Sequence, residues 1–117
     1  MSIRVSDMTE SQWPESMDAT VAAPGSHRVL LENERVRVLE VVIEAGVREP
    51  EHTHQAESVM IIDEMARNRY YVGDTLESET PAGSAPGMRV LWMEPEGPHS
   101  VENIDEHRFH AIRVELK

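Results

Sequence analysis

The sequence of 117 residues contains no cysteine, one phenylalanine and no long hydrophobic run. Without cysteine there are no disulfides and no thiolate ligands, so a transition metal would have to be bound by histidine and carboxylate side chains. No segment approaches the roughly 20 consecutive apolar residues of a membrane-spanning helix, and the N-terminus lacks the apolar core of a signal peptide. We therefore expect a cytoplasmic protein.

Positive charge is also scarce. Lysine and arginine total 11 against 22 aspartate and glutamate residues, which gives a formal net charge of -11. Such an excess of negative charge repels phosphate backbones and anionic membrane surfaces. We therefore expect a small-molecule ligand or substrate as partner, with no nucleic acid and no membrane.

The chain length suits one domain with one modest hydrophobic core. Residues 1–26 are polar and acidic without a period of 2 or 3.6, which predicts an N-terminal arm. From His27 onward, short Val, Ile and Leu-rich runs separated by turn residues predict consecutive β-strands in a domain over 27–117. The predicted strand segments are HRVLLE, RVRVLEVVIEA, SVMIID, RYYVGDTLE, MRVLWME, HSVEN and FHAIRVEL. The tract PAGSAPG, residues 81–87, is predicted to be a loop.

Many short strands favour an all-β architecture that hides strand edges, either a closed antiparallel barrel or a two-sheet sandwich. In the last predicted strand, Ile112, Val114 and Leu116 alternate with charged residues, which predicts that this apolar face is buried. His110 shares the parity of these residues, so we expect its side chain inside. A histidine on an apolar face is more often a hydrogen-bonded core residue than a ligand. His110 therefore remains a secondary candidate ligand.

Two of the six histidines stand one residue apart in EPEHTHQAES, residues 49–58. On an extended strand, residues i and i+2 point to the same face roughly 6.5 Å apart, whereas on a helix they diverge. His52 and His54 are therefore positioned to chelate one ion if the segment is extended. The alternative is an acidic surface turn with two exposed imidazoles.

A third histidine follows a Pro and Gly-rich segment in EPEGPHSVEN. A turn at Pro95–Pro98 would deliver the chain into a short strand that begins near His99. His99 is then either a third metal ligand on a neighbouring strand or a solvated turn residue. We expect His27 and His107 at the surface. Acidic residues at the predicted turns are also expected to be solvated, namely Glu49, Glu51, Glu94, Glu96, Asp105 and Glu106.

Together, GVREPEHTHQAE (46–57) and PEGPHSVEN (95–103) resemble the two conserved motifs of the cupin superfamily. The residues that match the two motifs are Gly46, His52 and His54 in the first and Pro95, Gly97, His99 and Asn103 in the second. The stretch LENERVRVLEVVIEAG is similar to the opening strands of small single-domain cupins, including those associated with β-alanine breakdown.

The resemblance covers about residues 28–117 and implies an RmlC-like jelly roll, the double-stranded β-helix of the cupins. It also implies that His52, His54 and His99 meet inside the barrel and bind a divalent transition metal. Three imidazoles with open positions suit Zn, Fe(II), Ni or Mn. The glutamate ligand of the family would fall at Ser58 or Val59, and the glutamate nearest to these positions is Glu57. On a regular strand Glu57 faces outward, so it ligates only if a bulge reverses the phase.

Three function classes are consistent with these features. The first is a metal-dependent enzyme, dioxygenase-like or isomerase-like, that acts on a small organic substrate. The second is a non-catalytic module that binds a small ligand or regulates, with or without metal. In the third the histidines are incidental and the arm mediates assembly. Because small cupins often pair, and the arm offers material for packing across a two-fold axis, we expect a homodimer.

Overall fold

The computed structural model describes residues 12–81 and 87–117. A 3-10 turn at Glu15–Met17 and a four-residue helix, α1, at Ala19–Ala22 precede the strands. The strands are β1 (His27–Glu32), β2 (Val36–Ile43), β3 (His52–His54), β4 (Ser58–Glu64), β5 (Asn68–Val72), β6 (Thr75–Glu79), β7 (Arg89–Met93), β8 (Glu96–Asn103) and β9 (Phe109–Leu116). The all-β prediction is confirmed, and β1 and β9 begin and end at the predicted residues.

The strands form two antiparallel sheets, with the orders β1-β2-β9-β4-β7 and β3-β8-β5-β6. Strands distant in sequence are neighbours in space, since β2 pairs with β9 and β3 with β8. This pattern is that of a jelly roll, in which two sheets face each other across one interior. The hydrophobic core between the sheets contains Val41, Ile43, Ile62, Ala66, Phe109 and Ala111.

One predicted strand needs correction, and one predicted loop lies mostly outside the described residues. The segment RYYVGDTLE, predicted as one strand, is the hairpin of β5 and β6. Its turn contains Gly73 at φ 60°, a left-handed conformation that glycine adopts without steric cost. Most of the predicted loop at residues 81–87 lies outside the described residues, because 82–86 are not described.

The predicted facing of β9 is wrong. The side chains that face the interior are those of Phe109, Ala111, Arg113 and Glu115, whereas His110, 8 % exposed, is covered on the other face by Asp63 and Glu40. Arg113 is 3 % exposed and donates to Glu96 over 2.8 Å, and Glu115 is ion-paired with Arg37. Charged side chains are tolerated inside a protein when they are paired and hydrogen-bonded. Ile112 and Val114 therefore lie on the outer face of the sheet, and simple alternation of apolar and charged residues assigned the two faces in reverse.

The outer face of the five-stranded sheet carries an apolar row. The register aligns one residue from each strand, in the order Leu31, Val38, Val114, Val59 and Trp92. Leu31 is 52 % and Trp92 53 % exposed. A row of this kind on the face opposite the core is a candidate interface for a second copy of the chain.

Homodimer formation therefore stays a prediction, and we place it on this apolar row. Trp92→Glu puts a charge into the proposed interface, and truncation of an interface tryptophan weakens association by about 2 kcal/mol or more. We expect the parent to scatter light as a dimer and Trp92→Glu as a monomer at micromolar concentration. Val21→Glu, an exposed position on α1, is the matched control and should stay dimeric. A parent that is monomeric at high concentration would contradict the prediction.

Residues 12–26, the described part of the predicted arm, pack against β3. Asp18 forms a bridge with Thr53, whose hydroxyl donates to the Met17 carbonyl over 3.2 Å. Ala19 and Ala23 are fully buried. This segment covers the outer side of β3. The boundary of the arm at residue 26 stays a prediction.

None of the described helices is long and apolar enough to cross a membrane.

Candidate metal centre

The structure brings the three histidines of the sequence motifs together inside the barrel. β3 carries His52 and His54, and the neighbouring β8 carries His99. The ring centroids of His52 and His54 are 5.0 Å apart, and those of His52 and His99 are 4.5 Å apart. The alternative of an exposed acidic turn is wrong, because His52 and His54 are 0 % and 1 % exposed. The N-terminal segment covers one side of β3, and the opposite sheet covers the other.

Hydrogen bonds orient these rings. The Nδ1 atoms of His52 and His99 lie 2.8 Å from the Pro50 carbonyl and 2.7 Å from the Gly97 carbonyl. A carbonyl only accepts, so Nδ1 carries the proton of each neutral ring and Nε2 keeps a free lone pair. Partners of this kind hold a ring in the tautomer that binds metals through Nε2.

Two ring nitrogens in the cluster have no hydrogen-bond partner among the described residues. Nε2 of His52 and Nδ1 of His54 are buried without a hydrogen bond. An unpaired buried polar atom is costly, and a metal ion would satisfy it. Burial lowers the pKa of His52 to about 4 and lowers the pKa of His54 and His99 as well. The rings are therefore neutral near pH 7, which is the form that binds metal.

His27 belongs to the same cluster, and the expectation that it lies at the surface is wrong. The side chain is 5 % exposed, and its ring centroid is 4.6 Å from that of His52 and 5.2 Å from that of His54. His27 pairs with Val41, a residue whose side chain lines the interior. In HRVLLE, where three apolar residues are consecutive, alternation does not tell which parity faces inward. Only the pairing with β2 decides it.

Glu49 is buried beside the histidines and is not solvated as expected. One of its carboxylate oxygens, Oε2, accepts from the Ser26 hydroxyl over 2.7 Å, and Oε1 lies 3.6 Å from Nε2 of His52. Burial raises the pKa of Glu49 to about 7. No local pattern reveals this placement, because Glu49 lies in an acidic segment outside any predicted strand.

Glu96 was expected to be solvated but lines the interior, and a bulge in β8 is the reason. His52 pairs with His99 and His54 with Glu96, so β8 has one residue more than β3 between the paired positions. This bulge at Gly97-Pro98 reverses the phase of β8, and both Glu96 and His99 line the interior. The predicted turn at Pro95–Pro98 is therefore wrong in part, since Glu96 already begins β8. Pro98 lacks an N–H group, which a bulge tolerates.

Glu96 is held by a buried network. Its oxygens accept from Nη2 of Arg113 over 2.8 Å and from the Tyr70 hydroxyl over 2.8 Å. Burial alone would raise the pKa of Glu96, but the charges of Arg113 and the nearby histidines outweigh it and hold the pKa near 2. The Tyr70 ring stacks on His99 with centroids 4.9 Å apart. Glu96 is therefore an ionised side chain that fixes Tyr70 and Arg113 next to the histidines.

The structure does not bring Glu57 or His110 to this centre. Glu57 is exposed, and the next residue, Ser58, faces inward and accepts from Nε of Arg113 over 2.9 Å. His110 lies on the outer face of β9, which contradicts the expectation of an inward side chain. Its Nε2 is 2.9 Å from Glu40, and its Nδ1 contacts Asp63. Both candidates are therefore separated from the histidine cluster by the sheet.

The outer placement of His110 predicts a pH-dependent contribution to stability. Hydrogen bonds with Asp63 and Glu40 raise the pKa of His110 above its usual value of 6.5. A group whose pKa is higher in the folded than in the unfolded protein stabilises the fold fully at pH values below its unfolded-state pKa. This stabilisation is lost as the pH rises through the folded-state pKa. We expect His110→Gln to lower the free energy of unfolding by about 1 kcal/mol at pH 5.5 and by less at pH 9.

Urea unfolding of the parent and the His110→Gln variant at both pH values checks this expectation. His107→Gln is the matched control, because the His107 side chain is 60 % exposed, in agreement with its predicted surface position. A destabilisation that stays constant from pH 5.5 to pH 9 would show that the charge of His110 does not contribute.

The histidines line one part of an interior pocket of about 230 Å³. Its other walls include Val41, Ile62, Met65, Val101 and Phe109. Within the described residues, three groups place one ligand atom each within 4.8 Å of one another: His27, His52 and His54; Glu49, His52 and His99; and His54, Glu96 and His99. The pocket thus combines a His and Glu cluster able to hold a metal ion with an apolar wall.

Comparison with known proteins agrees with this architecture. No protein-family model and no curated protein matches the sequence. Among solved structures, a cupin domain from Bordetella pertussis Tohama I is 21% identical, with 78% of this chain and 91% of that chain covered and a TM-score of 0.64. An RmlC-like cupin family protein with a double-stranded β-helix from Methanocaldococcus jannaschii is 16% identical, with 77% of each chain covered and a TM-score of 0.57.

A third similar structure is that of the polyketide cyclase RemF from Streptomyces resistomycificus. It is 19% identical, with 77% of this chain and 63% of that chain covered and a TM-score of 0.53. At these identities the likeness concerns the fold. The protein is a small chain with the cupin fold, and the fold predicted from its two histidine motifs is confirmed.

Proposed function

We propose that this protein is a metal-dependent enzyme acting on a small organic substrate, with a divalent transition metal bound by His52, His54 and His99. The observation that carries the proposal is the convergence of these neutral, buried rings at one pocket, where Nε2 of His52 has no hydrogen-bond partner in the described part of the chain. Imidazole ligands suit Zn, Fe(II), Ni or Mn. A metal held by these three histidines would act as a Lewis acid that polarises a carbonyl group of the substrate.

The residues around the histidines bind and orient the substrate. The pocket, at about 230 Å³, is smaller than the roughly 300–1,000 Å³ typical of sites for drug-sized ligands, so the substrate is compact. Its apolar walls exclude water and accept a hydrocarbon body. Arg113 is already paired with Glu96, so an acidic or diketone-like group of the substrate would be bound at the histidine cluster rather than by this guanidinium. The polyketide cyclase among the similar structures shows that this fold carries catalysis in another protein.

Metal analysis tests the first part of the proposal. Untagged protein, purified without chelators, is analysed for bound metals, and chelator-treated protein is titrated with Zn, Ni, Mn and Fe(II) by calorimetry. We expect one ion per chain with a micromolar or lower dissociation constant. A protein that takes up none of these metals at micromolar concentration would refute the enzyme proposal.

A second candidate is a non-catalytic module that binds a small ligand. The hydrogen bonds of the buried carboxylates favour it, because both oxygens of Glu96 are occupied and Glu49 accepts from Ser26. Glu96 is then not free to act as a general base, and Glu49 keeps only Oε1 without a hydrogen bond. A set of small organic acids and diketones, incubated with metal-loaded protein, distinguishes the candidates. Compounds that raise the melting temperature but are recovered unchanged favour binding, and conversion of any of them favours the enzyme.

A further inference from the structure

His27 reaches the histidine cluster from the opposite sheet. It is the first residue of β1, in the five-stranded sheet, whereas β3 and β8 belong to the four-stranded sheet. The ring contacts His52 and His54, with centroid distances of 4.6 Å and 5.2 Å. A buried histidine in contact with two other histidines needs a partner for its ring nitrogens.

One nitrogen of His27 has its partners within the chain. Nδ1 lies 3.1 Å from the Ala23 carbonyl and 3.0 Å from the Ser26 hydroxyl oxygen. The Ser26 hydroxyl has one proton and lies 2.7 Å from Glu49 Oε2 as a donor, so it is an acceptor toward His27. Nδ1 therefore carries the ring proton, and Nε2 keeps a free lone pair. This is the same pattern that orients His52 and His99.

The ligand group that contains Glu96 is less well suited to an ion, because both oxygens of Glu96 accept hydrogen bonds. Oε2 of Glu49 accepts from Ser26, which leaves Oε1 3.6 Å from Nε2 of His52. The group of His27, His52 and His54 consists of imidazoles alone, and its ligand atoms lie within 4.8 Å of one another. Imidazole nitrogen is a preferred ligand of divalent transition metals.

We infer that His27 is a fourth histidine ligand, and that the ion lies between the two sheets, bound by β1 as well as by β3 and β8. The inference rests on the proposed metal centre. Glu57 is exposed and Ser58 occupies the inward position, so the start of β4 supplies no carboxylate ligand. The bound ion then joins the edge strand of one sheet to the edge strand of the other.

Zinc affinity of His27→Gln tests this inference. Glutamine keeps a polar side chain of similar reach but supplies no imidazole. Removing a residue that only hydrogen-bonds to a metal ligand weakens metal binding by roughly tenfold or more. Because His27→Gln removes a ligand itself, we expect it to weaken zinc binding by more than tenfold. His110→Gln is the matched control, since it removes a histidine from the outer face, and it should bind zinc as the parent does.

A second measurement needs no variant. X-ray absorption spectroscopy of the zinc-loaded parent counts imidazole ligands, and we expect four. Three imidazoles, with unchanged zinc affinity of His27→Gln, would overturn the inference. If His52→Ala loses zinc while His27→Gln retains it, the proposed metal centre stands without His27. If both variants bind zinc as well as the parent, the metal centre itself is refuted.

Discussion

Replacing His52 with alanine is expected to remove nearly all of the stability that a bound metal gives to this protein. A ligand that binds only the folded chain stabilises it by about 2.7 kcal/mol when present at one hundred times its dissociation constant. The parent should gain this free energy of unfolding when nickel or zinc replaces a chelator. His52→Ala removes a completely buried ring whose Nε2 has no hydrogen-bond partner among the described residues, so its gain should be below about 0.5 kcal/mol.

Chemical unfolding with metal and with chelator measures both gains. His54→Ala and His99→Ala should behave like His52→Ala, because each removes one imidazole of the same cluster. His107→Ala is the control, since its ring is exposed and outside the cluster. A metal-dependent gain in His52→Ala equal to that of the parent would place the ion elsewhere. For each variant, the free energy of unfolding with metal is compared with that of the same variant with chelator. The difference reports metal binding and is independent of any effect of the substitution on the metal-free fold.

The second large effect is expected at Arg113. Its guanidinium donates to Glu96 over 2.8 Å and to the Ser58 hydroxyl over 2.9 Å, in the interior between the sheets. Removing one partner of a buried ion pair leaves the other charge uncompensated and costs about 3–5 kcal/mol. We expect Arg113→Met to lower the free energy of unfolding by this amount in the presence of chelator.

The double variant Arg113→Met/Glu96→Gln identifies the cause. Glutamine removes the charge that Arg113→Met leaves unpaired, so the double variant should recover much of the lost stability. Urea unfolding of the parent, both single variants and the double variant closes the cycle. If the double variant is as unstable as the sum of the single variants, the two residues are not coupled, and the loss comes from packing of the arginine side chain.

The strands themselves could be predicted from the sequence because β-branched runs and turn residues act locally. The segments 27–32 and 109–116 matched β1 and β9 to the residue. The spacing of His52 and His54 was equally informative, since an extended chain places such a pair on one face whatever surrounds it. The resemblance to the cupin motifs added His99, and the structure brings all three rings together.

The facing of residues was a different matter. Arg113 and His110 were assigned to the wrong faces, because alternation shows two faces but not which one is inside. Charged side chains face inward where they form ion pairs with residues of other strands, as Glu96 does with Arg113. Those partners are distant in sequence, and no local pattern reveals them.

The sequence by itself thus determined an all-β chain with a His-x-His pair, and its two motifs indicated the cupin fold, because these features depend on neighbours a few residues apart. Only the tertiary structure decided that His27, Glu49 and Glu96 surround the pair and that Glu57 and His110 do not. Their placement depends on the pairing of β1 with β2, on one extra residue in β8 and on the packing of the N-terminal segment over β3. These are contacts between segments far apart in the chain, and their register is fixed only when the two sheets close on each other.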